Sequence, residues 1–325
     1  MKDRIVSGIQ PTGELHIGNY LATLKDFVSL QDQFECFFFV ADLHSLSENF
    51  DPAEKRRQIQ NLMATFLASG VDPEKCTLFI QSQVPAHTEL FAILNNLVPM
   101  GELERMTQFK DKAARQSANI NAGLFEYPVL MAADIMLYKP THVPVGHDQL
   151  QHLELTNTII RKFNHRFGET FREIQAYQKK PLRIMSLADP ERKMGKSDPG
   201  SCINMFDGPA EIQKKLAKAV TATDASAKDM PRGVQNLIEL LEHFDNAKAA
   251  QHFRAAYATG SIKYSELKTV LAETLAAYFA PMREKRQALD QTPKLIDEAI
   301  QVGASKAARV AEKTLAEVKE KIGLI

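Results

Sequence analysis

Six consecutive apolar residues, Cys36-Phe37-Phe38-Phe39-Val40-Ala41, constrain the fold of this chain more than any other stretch. A run so short and so uniformly apolar predicts a strand buried on both faces, as in a parallel sheet covered by helices. Arg4-Ile5-Val6 and Thr77-Leu78-Phe79-Ile80 predict two further strands, because β-branched and aromatic residues pack well on a pleated surface. Helical stripes separate them: Ile17, Tyr20, Leu21, Leu24, Phe27 and Val28, then Ile59, Leu62, Met63, Phe66 and Leu67. Asp51-Pro52 starts the second stripe and Gly70 stops it. Val84-Pro85 opens a third, with Leu90, Ile93, Leu94 and Leu97. This alternation predicts an α/β fold, a doubly wound, Rossmann-like parallel sheet. The pattern continues with a helix from Leu124 to Leu137, a strand from His142 to Val145, a helix from Leu150 to Phe163, and a last short strand from Arg183 to Leu187.

Beyond Pro209 the strand signals cease. Leu237, Ile238, Leu240, Leu241 and Phe244 recur at helical spacing, as do Leu267, Val270, Leu271, Leu275 and Tyr278. Pro281 is expected at a break, and the segment from Pro293 is again helical. The expected organisation is a catalytic α/β domain over 1–200, an all-helical domain over 201–290, and a final helix over 291–325.

Forty basic and forty acidic side chains cancel, so no overall field advertises a nucleic-acid partner, and any RNA contact must come from local patches. The three cysteines, Cys36, Cys76 and Cys202, are too few and scattered for a zinc site or a disulfide framework. Cys36 and Cys76 border apolar runs and are expected as core residues of a reducing compartment. The first strand follows Met1 almost at once, so no signal peptide is expected. No window is apolar and long enough to span a bilayer, and a cytoplasmic location is expected.

Two stretches carry chemistry. In Gly8-Ile9-Gln10-Pro11-Thr12-Gly13-Glu14-Leu15-His16-Ile17-Gly18-Asn19-Tyr20, a turn joins the first strand to the first helix. His16 and Asn19 lie one helical turn apart at a helix start, where backbone N–H groups attract phosphate, and Gly18 leaves room for a base or ribose. On its own this also describes an ordinary strand–turn–helix with a polar cap. Far along the chain, Lys193-Met194-Gly195-Lys196-Ser197-Asp198-Pro199 places two lysines three apart, as suits a loop closing over a polyphosphate. Lys110 to Asn121 is polar and is expected as a mobile surface segment, with Lys112 a further phosphate candidate. Asp134 sits among Val129, Leu130, Ile135 and Met136, where a carboxylate is costly unless partnered, by a ligand or by an ordinary lysine. His147, Asp148 and His152 form no metal-ligand pattern, and no protein-held metal is expected. No G-x-G-x-x-G follows the first strand, which disfavours a dinucleotide-dependent oxidoreductase.

His16-Ile17-Gly18-Asn19 and Lys193-Met194-Gly195-Lys196-Ser197 resemble the HIGH and KMSKS signatures of class I aminoacyl-tRNA synthetases. Together with Gly101 to Lys110, Tyr127 to Ile135 and Val143 to Gln149, they resemble the bacterial tryptophanyl-tRNA synthetase family over essentially the whole chain. The resemblance implies activation of tryptophan by ATP, brought with Mg2+, and transfer to tRNA(Trp) by a homodimer whose helical domain binds the anticodon. It implies ATP contacts from Gln10, Pro11, Thr12, Gly18, Asn19, Gly146, His147, Asp148, Ile184 and Lys193 to Ser197. His16, Asn19, Lys193, Lys196 and Ser197 are the implied catalytic set. The implied tryptophan pocket comprises Val6, Gly8, His44, Tyr127, Met131, Val143, Val145 and Gln149, with Asp134 accepting the indole N–H. Lys214, Lys215 and Lys218 are candidate RNA contacts. Gly195 departs from the usual serine and is frequent in the related tyrosyl enzymes, the nearest alternative. A small-molecule nucleotidyltransferase with an HxGH turn would need neither the lysine loop nor the helical tail, and a non-catalytic RNA-binding module would not need His16, Asn19, Lys193 and Lys196.

Overall fold

A computed structural model describes residues 2–109, 120–146, 149–177, 182–195, 199–221 and 229–325. Strand β1 (Arg4–Ile9) pairs in parallel with β2 (Glu35–Val40), and β2 with β3 (Thr77–Ile80). On its other side β1 pairs with β4 (His142–Pro144), and β4 with β5 (Gln175–Tyr177). Among the described residues the sheet order is therefore β3-β2-β1-β4-β5, all parallel. Arg183 to Leu187 is not a strand of this sheet, contrary to the sequence expectation. Met185 makes only an isolated antiparallel bridge with Lys193, because this segment folds against the lysine stretch instead. The fifth strand, Gln175-Ala176-Tyr177, is too short to show a period of two.

Helix α1 (Ile17–Asn19) runs through a π-helical turn (Tyr20–Leu24) into α2 (Lys25–Leu30). Then follow α3 (Pro52–Ala68), α4 (Ala86–Asn95), α5 (Met100–Glu104), α6 (Ala122–Met136) and α7 (Leu150–Phe167). The Asp51 side chain caps α3 by accepting from the Glu54 N–H at 2.8 Å, and Gly70 ends it at φ +97°, a conformation that favours glycine. Alternation along the strands divides the core. Ile5, Phe38, Val40 and Leu78 pack with α2 and α3 on one face, and Phe27 stacks on Phe38 at 3.9 Å. Val6, Phe37, Phe39 and Phe79 pack with α4, α6 and α7 on the other. That two-sided burial is what the apolar run at Cys36 requires. Cys36 and Cys76 are buried, and burial pushes both thiols up to about 12.

From Pro209 onward the elements among the described residues are helices: α8 (Pro209–Ala217), α9 (Arg232–His243), α10 (Ala247–Ala258), α11 (Tyr264–Tyr278), α12 (Ala280–Gln291) and α13 (Pro293–Lys321). Tyr20 joins this region to the first helix, its hydroxyl 3.0 Å from that of Tyr278 and its ring against Phe244 and Phe279. Helix α13 lies along β3 so closely that a Cβ on Gly303 would sit 1.6 Å from the Leu78 carbonyl oxygen. Lys215 is largely buried and paired with Asp207 at 2.6 Å, so it does not face outward as an RNA contact would; Lys214 and Lys218 are exposed. Among the described residues, no helix is long and apolar enough to cross a membrane.

Candidate active site

Strand order reverses between β1 and β4, and the carboxyl ends of such a pair open into the crevice where α/β sheets bind ligands. Gln10, Pro11 and Thr12 leave β1 there, with the Thr12 N–H donating to the Gln10 carbonyl at 3.0 Å. Val145 and Gly146 leave β4 beside them, and Gly146 accepts from the Gln149 N–H at 2.9 Å. Gln149 is exposed at the start of α7. His147 and Asp148 lie outside the described residues, as do Lys112, Lys196 and Ser197.

His16 and Asn19 cap one another. The His16 N–H donates to Asn19 Oδ1 at 3.2 Å, and the Asn19 N–H donates to His16 Nδ1 at 3.3 Å. Because Nδ1 accepts, a neutral His16 ring carries its proton on Nε2. Gly18 is closely packed: a Cβ there would meet the His16 ring at 2.9 Å and Ile184 at 3.5 Å. Nor is the first helical N–H left for phosphate, since Ile17 donates it to the Ile203 carbonyl at 2.9 Å.

That last bond belongs to the ribbon that unites the two motifs. His16 bridges Asn204 in antiparallel fashion, and Met205 donates its N–H to the Leu15 carbonyl at 3.0 Å. Further along, Leu187 donates to the Ser201 carbonyl at 2.9 Å and Met194 to the Ile184 carbonyl at 2.9 Å, which sets exposed Lys193 beside Met185. Asn236 of α9 clamps Met185 from behind, its amide donating to the Met185 carbonyl at 3.1 Å and accepting the Met185 N–H at 3.2 Å.

At the other end of the crevice Val6, Val143, Val145 and Met131 share one apolar cluster. Tyr127 sets its ring edge-on to His44. Gly8 faces Phe39, whose ring would lie 2.5 Å from a Cβ at that position. Into this cluster α6 carries Asp134, 2% exposed. Its partners are not a lysine. Oδ1 accepts from Gln81 Nε2 at 2.7 Å and pairs with His87 Nδ1 at 2.6 Å, and Oδ2 pairs with His44 Nε2 at 2.7 Å. Burial pushes this carboxyl up, but His44, by charge and hydrogen bond, and His87, by hydrogen bond, outweigh burial and hold it at about 2. No group of metal-ligating side chains occurs among the described residues.

The model of the class I tRNA synthetases for W and Y matches residues 2–280. The chain belongs to that family. It is 43% identical to the tryptophan–tRNA ligase of Clostridium tetani, over 100% of this chain and 96% of that one. It is 42% identical to the tryptophan–tRNA ligase of Bacillus anthracis, over 98% of each. Among solved structures, the tryptophanyl-tRNA synthetase of Campylobacter jejuni complexed with ADP and tryptophan superposes with TM-score 0.88 at 34% identity, covering 98% of this chain and 99% of that one. The tyrosyl enzyme of Aeropyrum pernix, with TM-score 0.66 at 17% identity, shares the fold alone.

Sequence reasoning missed Gln81 and His87, which hold Asp134, and Asn236, which holds Met185. His87 stands one residue into α4 after Val84-Pro85, and nothing in its spacing ties it to Asp134. The usable signal was Asp134 itself, since a lone carboxylate on an apolar helix face demands buried donors somewhere in the chain.

Proposed function

We infer that this chain is a tryptophan–tRNA ligase, which joins L-tryptophan to ATP as tryptophanyl-adenylate with release of pyrophosphate and then passes the aminoacyl group to tRNA(Trp). The observation that carries the reading is Asp134, a buried carboxylate kept ionised in an apolar pocket beside the crevice. An ionised carboxylate only accepts hydrogen bonds, and indole offers one N–H donor and no acceptor. The full-length likeness to the Clostridium tetani enzyme supports the same substrate.

For the chemistry, the amino-acid carboxylate attacks the α-phosphate and charge moves onto the leaving pyrophosphate. This requires positioning and cations rather than a nucleophilic side chain. Lys193 and Lys196 supply charge, Ser197 a hydroxyl, and His16 and Asn19 neutral donors at the turn. Gln10, Pro11, Thr12, Gly18, Gly146, His147, Asp148, Ile184, Met194 and Gly195 surround the nucleotide in this reading. Mg2+ arrives with ATP. The helices over 201–290 take the tRNA anticodon, two chains form a homodimer, and the protein works in the cytoplasm. Amino-acid-dependent exchange of pyrophosphate into ATP tests the reading. Tryptophan should support exchange, and robust exchange with tyrosine in its place would promote the tyrosyl alternative.

A further inference from the structure

The Asp134 cluster extends one step further than the pocket needs. His87 is fully buried on α4, with its ring between Phe39, Phe79 and Tyr138. Its Nδ1 meets Asp134 Oδ1 at 2.6 Å and its Nε2 meets the Tyr138 hydroxyl at 2.8 Å. Burial, with the Asp134 charge adding to it, pushes the Tyr138 phenol well above its ordinary range, so this hydroxyl keeps its proton. Among the described residues the one acceptor within hydrogen-bond reach of that proton is His87 Nε2. His87 Nδ1 must then carry the other proton and donate it to Asp134.

Gln81 is fixed in the same way. Its Oε1 accepts the Leu43 N–H at 3.2 Å, which turns its Nε2 toward Asp134. Asp134 Oδ1 thus receives two donors, and Oδ2 receives one from His44. A carboxylate has about four lone-pair positions. Three are filled, and the remaining one lies on Oδ2.

We propose that His87, locked in one tautomer by Tyr138, is a positioning residue that saturates Asp134 Oδ1 and leaves a single acceptor position on Oδ2, so that the site selects aromatic amino acids bearing a ring N–H. His87 does not touch the substrate. It acts through Asp134 by fixing which oxygen is open and by keeping any proton off the carboxylate. A phenylalanine-like side chain leaves the open position unpaired, and so does an indole isostere without the N–H. A pocket built to be hydrogen-bonded rejects such a ligand more strongly than an apolar one does.

The proposal rests on the reading of Asp134 as the indole acceptor, and the test separates the two. The readout is kcat/KM in pyrophosphate exchange for L-tryptophan and for its benzothiophene analogue, in which sulfur replaces the N–H at nearly constant shape. The unmodified chain should prefer tryptophan by about a hundredfold or more. Tyr138→Phe removes the group that fixes the tautomer and should reduce that preference about tenfold, through tryptophan alone. His87→Leu should reduce it further, while His87→Asn, which restores a donor near Nδ1, should recover at least about tenfold over leucine. The KM for ATP should stay within about twofold throughout, and melting temperatures report on folding. A merely structural role would depress both amino acids together and leave their ratio unchanged. If Tyr138→Phe and His87→Leu both keep the parental ratio while Asp134→Asn destroys it, the proposal is wrong and the indole reading stands. If the unmodified chain treats the two amino acids alike, or Asp134→Asn keeps the parental preference, the indole reading fails and the proposal falls with it.

Discussion

Around Asp134 the site is finished by side chains. His44, Gln81 and His87 surround it in a buried cluster, and their distances to the carboxylate lie between 2.6 and 2.7 Å. Around His16 and Lys193 it is finished by backbone. The segment from Ile184 to Met205 is sewn to the first turn and to itself by main-chain bonds, and Lys193 projects from it into solvent. The first construction discriminates: it is complete before substrate arrives, and its low-dielectric setting penalises any ligand that leaves a partner unmet. In the reaction proposed above, the second construction carries cations to a charge that exists only in the transition state. Substitutions in the first region should therefore alter which amino acid reacts, and substitutions in the second how fast it reacts.

The largest expected effect tests the first region. Tyrosine could also donate to Asp134, but its hydroxyl leaves the end of the ring, where Met131, Val143 and Val145 offer no polar partner. Tyrosine-dependent exchange should be poorer than tryptophan-dependent exchange by roughly a thousandfold, on the order of 4 kcal/mol. Asp134→Ala should lose most tryptophan activity and gain little with phenylalanine. Equal losses for all aromatic substrates would show that this cluster only holds the fold.

Next comes the lysine stretch. Lys196→Ala should slow adenylation at least about a hundredfold, on the order of 3 kcal/mol, with tryptophan affinity nearly unchanged. Single-turnover rates within about threefold of the parent would remove this lysine from the chemistry. The ribbon behind it can be loosened without touching a cation. Asn236→Ala removes both hydrogen bonds to the half-buried Met185 backbone, worth about 1 kcal/mol of stability. Its adenylation rate should fall more than its tryptophan affinity, and the reverse order would erase the distinction between the two regions.

Acid offers a comparable handle on the first region. The Asp134 carboxyl lies at about 2 in the folded chain, below its ordinary value of 3.8. A depressed carboxyl stabilises the fold above its unfolded pKa, and that stability is lost as pH falls through the folded pKa. The window therefore runs from about pH 4 down to about pH 2, with a loss on the order of 2 kcal/mol. Denaturant unfolding of the parent and of Asp134→Asn across that window should differ in slope, the variant being flatter; parallel curves would show that Asp134 titrates as an ordinary carboxylate.

The regions also differ in how plainly the sequence announces them. The sheet was legible because Cys36 to Ala41 and the stripes around it report burial residue by residue. The turn at His16 was legible because its partners lie three residues apart. Asp134 was legible as an anomaly, but its partners come from the ends of β2 and β3 and from α4, and no local pattern connects 44, 81, 87 and 134. The segment from Arg183 to Leu187 misled for the opposite reason. Its apolar residues are buried as a strand's would be, but Ile184 and Leu187 are buried in the ribbon against α9 rather than in the sheet. Local composition reports that a residue is covered and not what covers it.

Gly195 is where the two kinds of construction give the finest contrast, and the smallest expected effect. It follows Met194, whose N–H is pinned to the Ile184 carbonyl. A serine has fewer backbone conformations open to it than glycine and so narrows the unbound ensemble of the loop. Gly195→Ser should then change the adenylation barrier by no more than about 1 kcal/mol and leave the tryptophan-to-tyrosine ratio untouched. Adenylation kinetics and that ratio, measured side by side, check both halves. A hundredfold change in rate would mean that the 195 side chain makes a contact of its own with the nucleotide. A change in the ratio would mean that the ribbon reaches the Asp134 cluster, and the division between a discriminating end and an accelerating end would have to be abandoned.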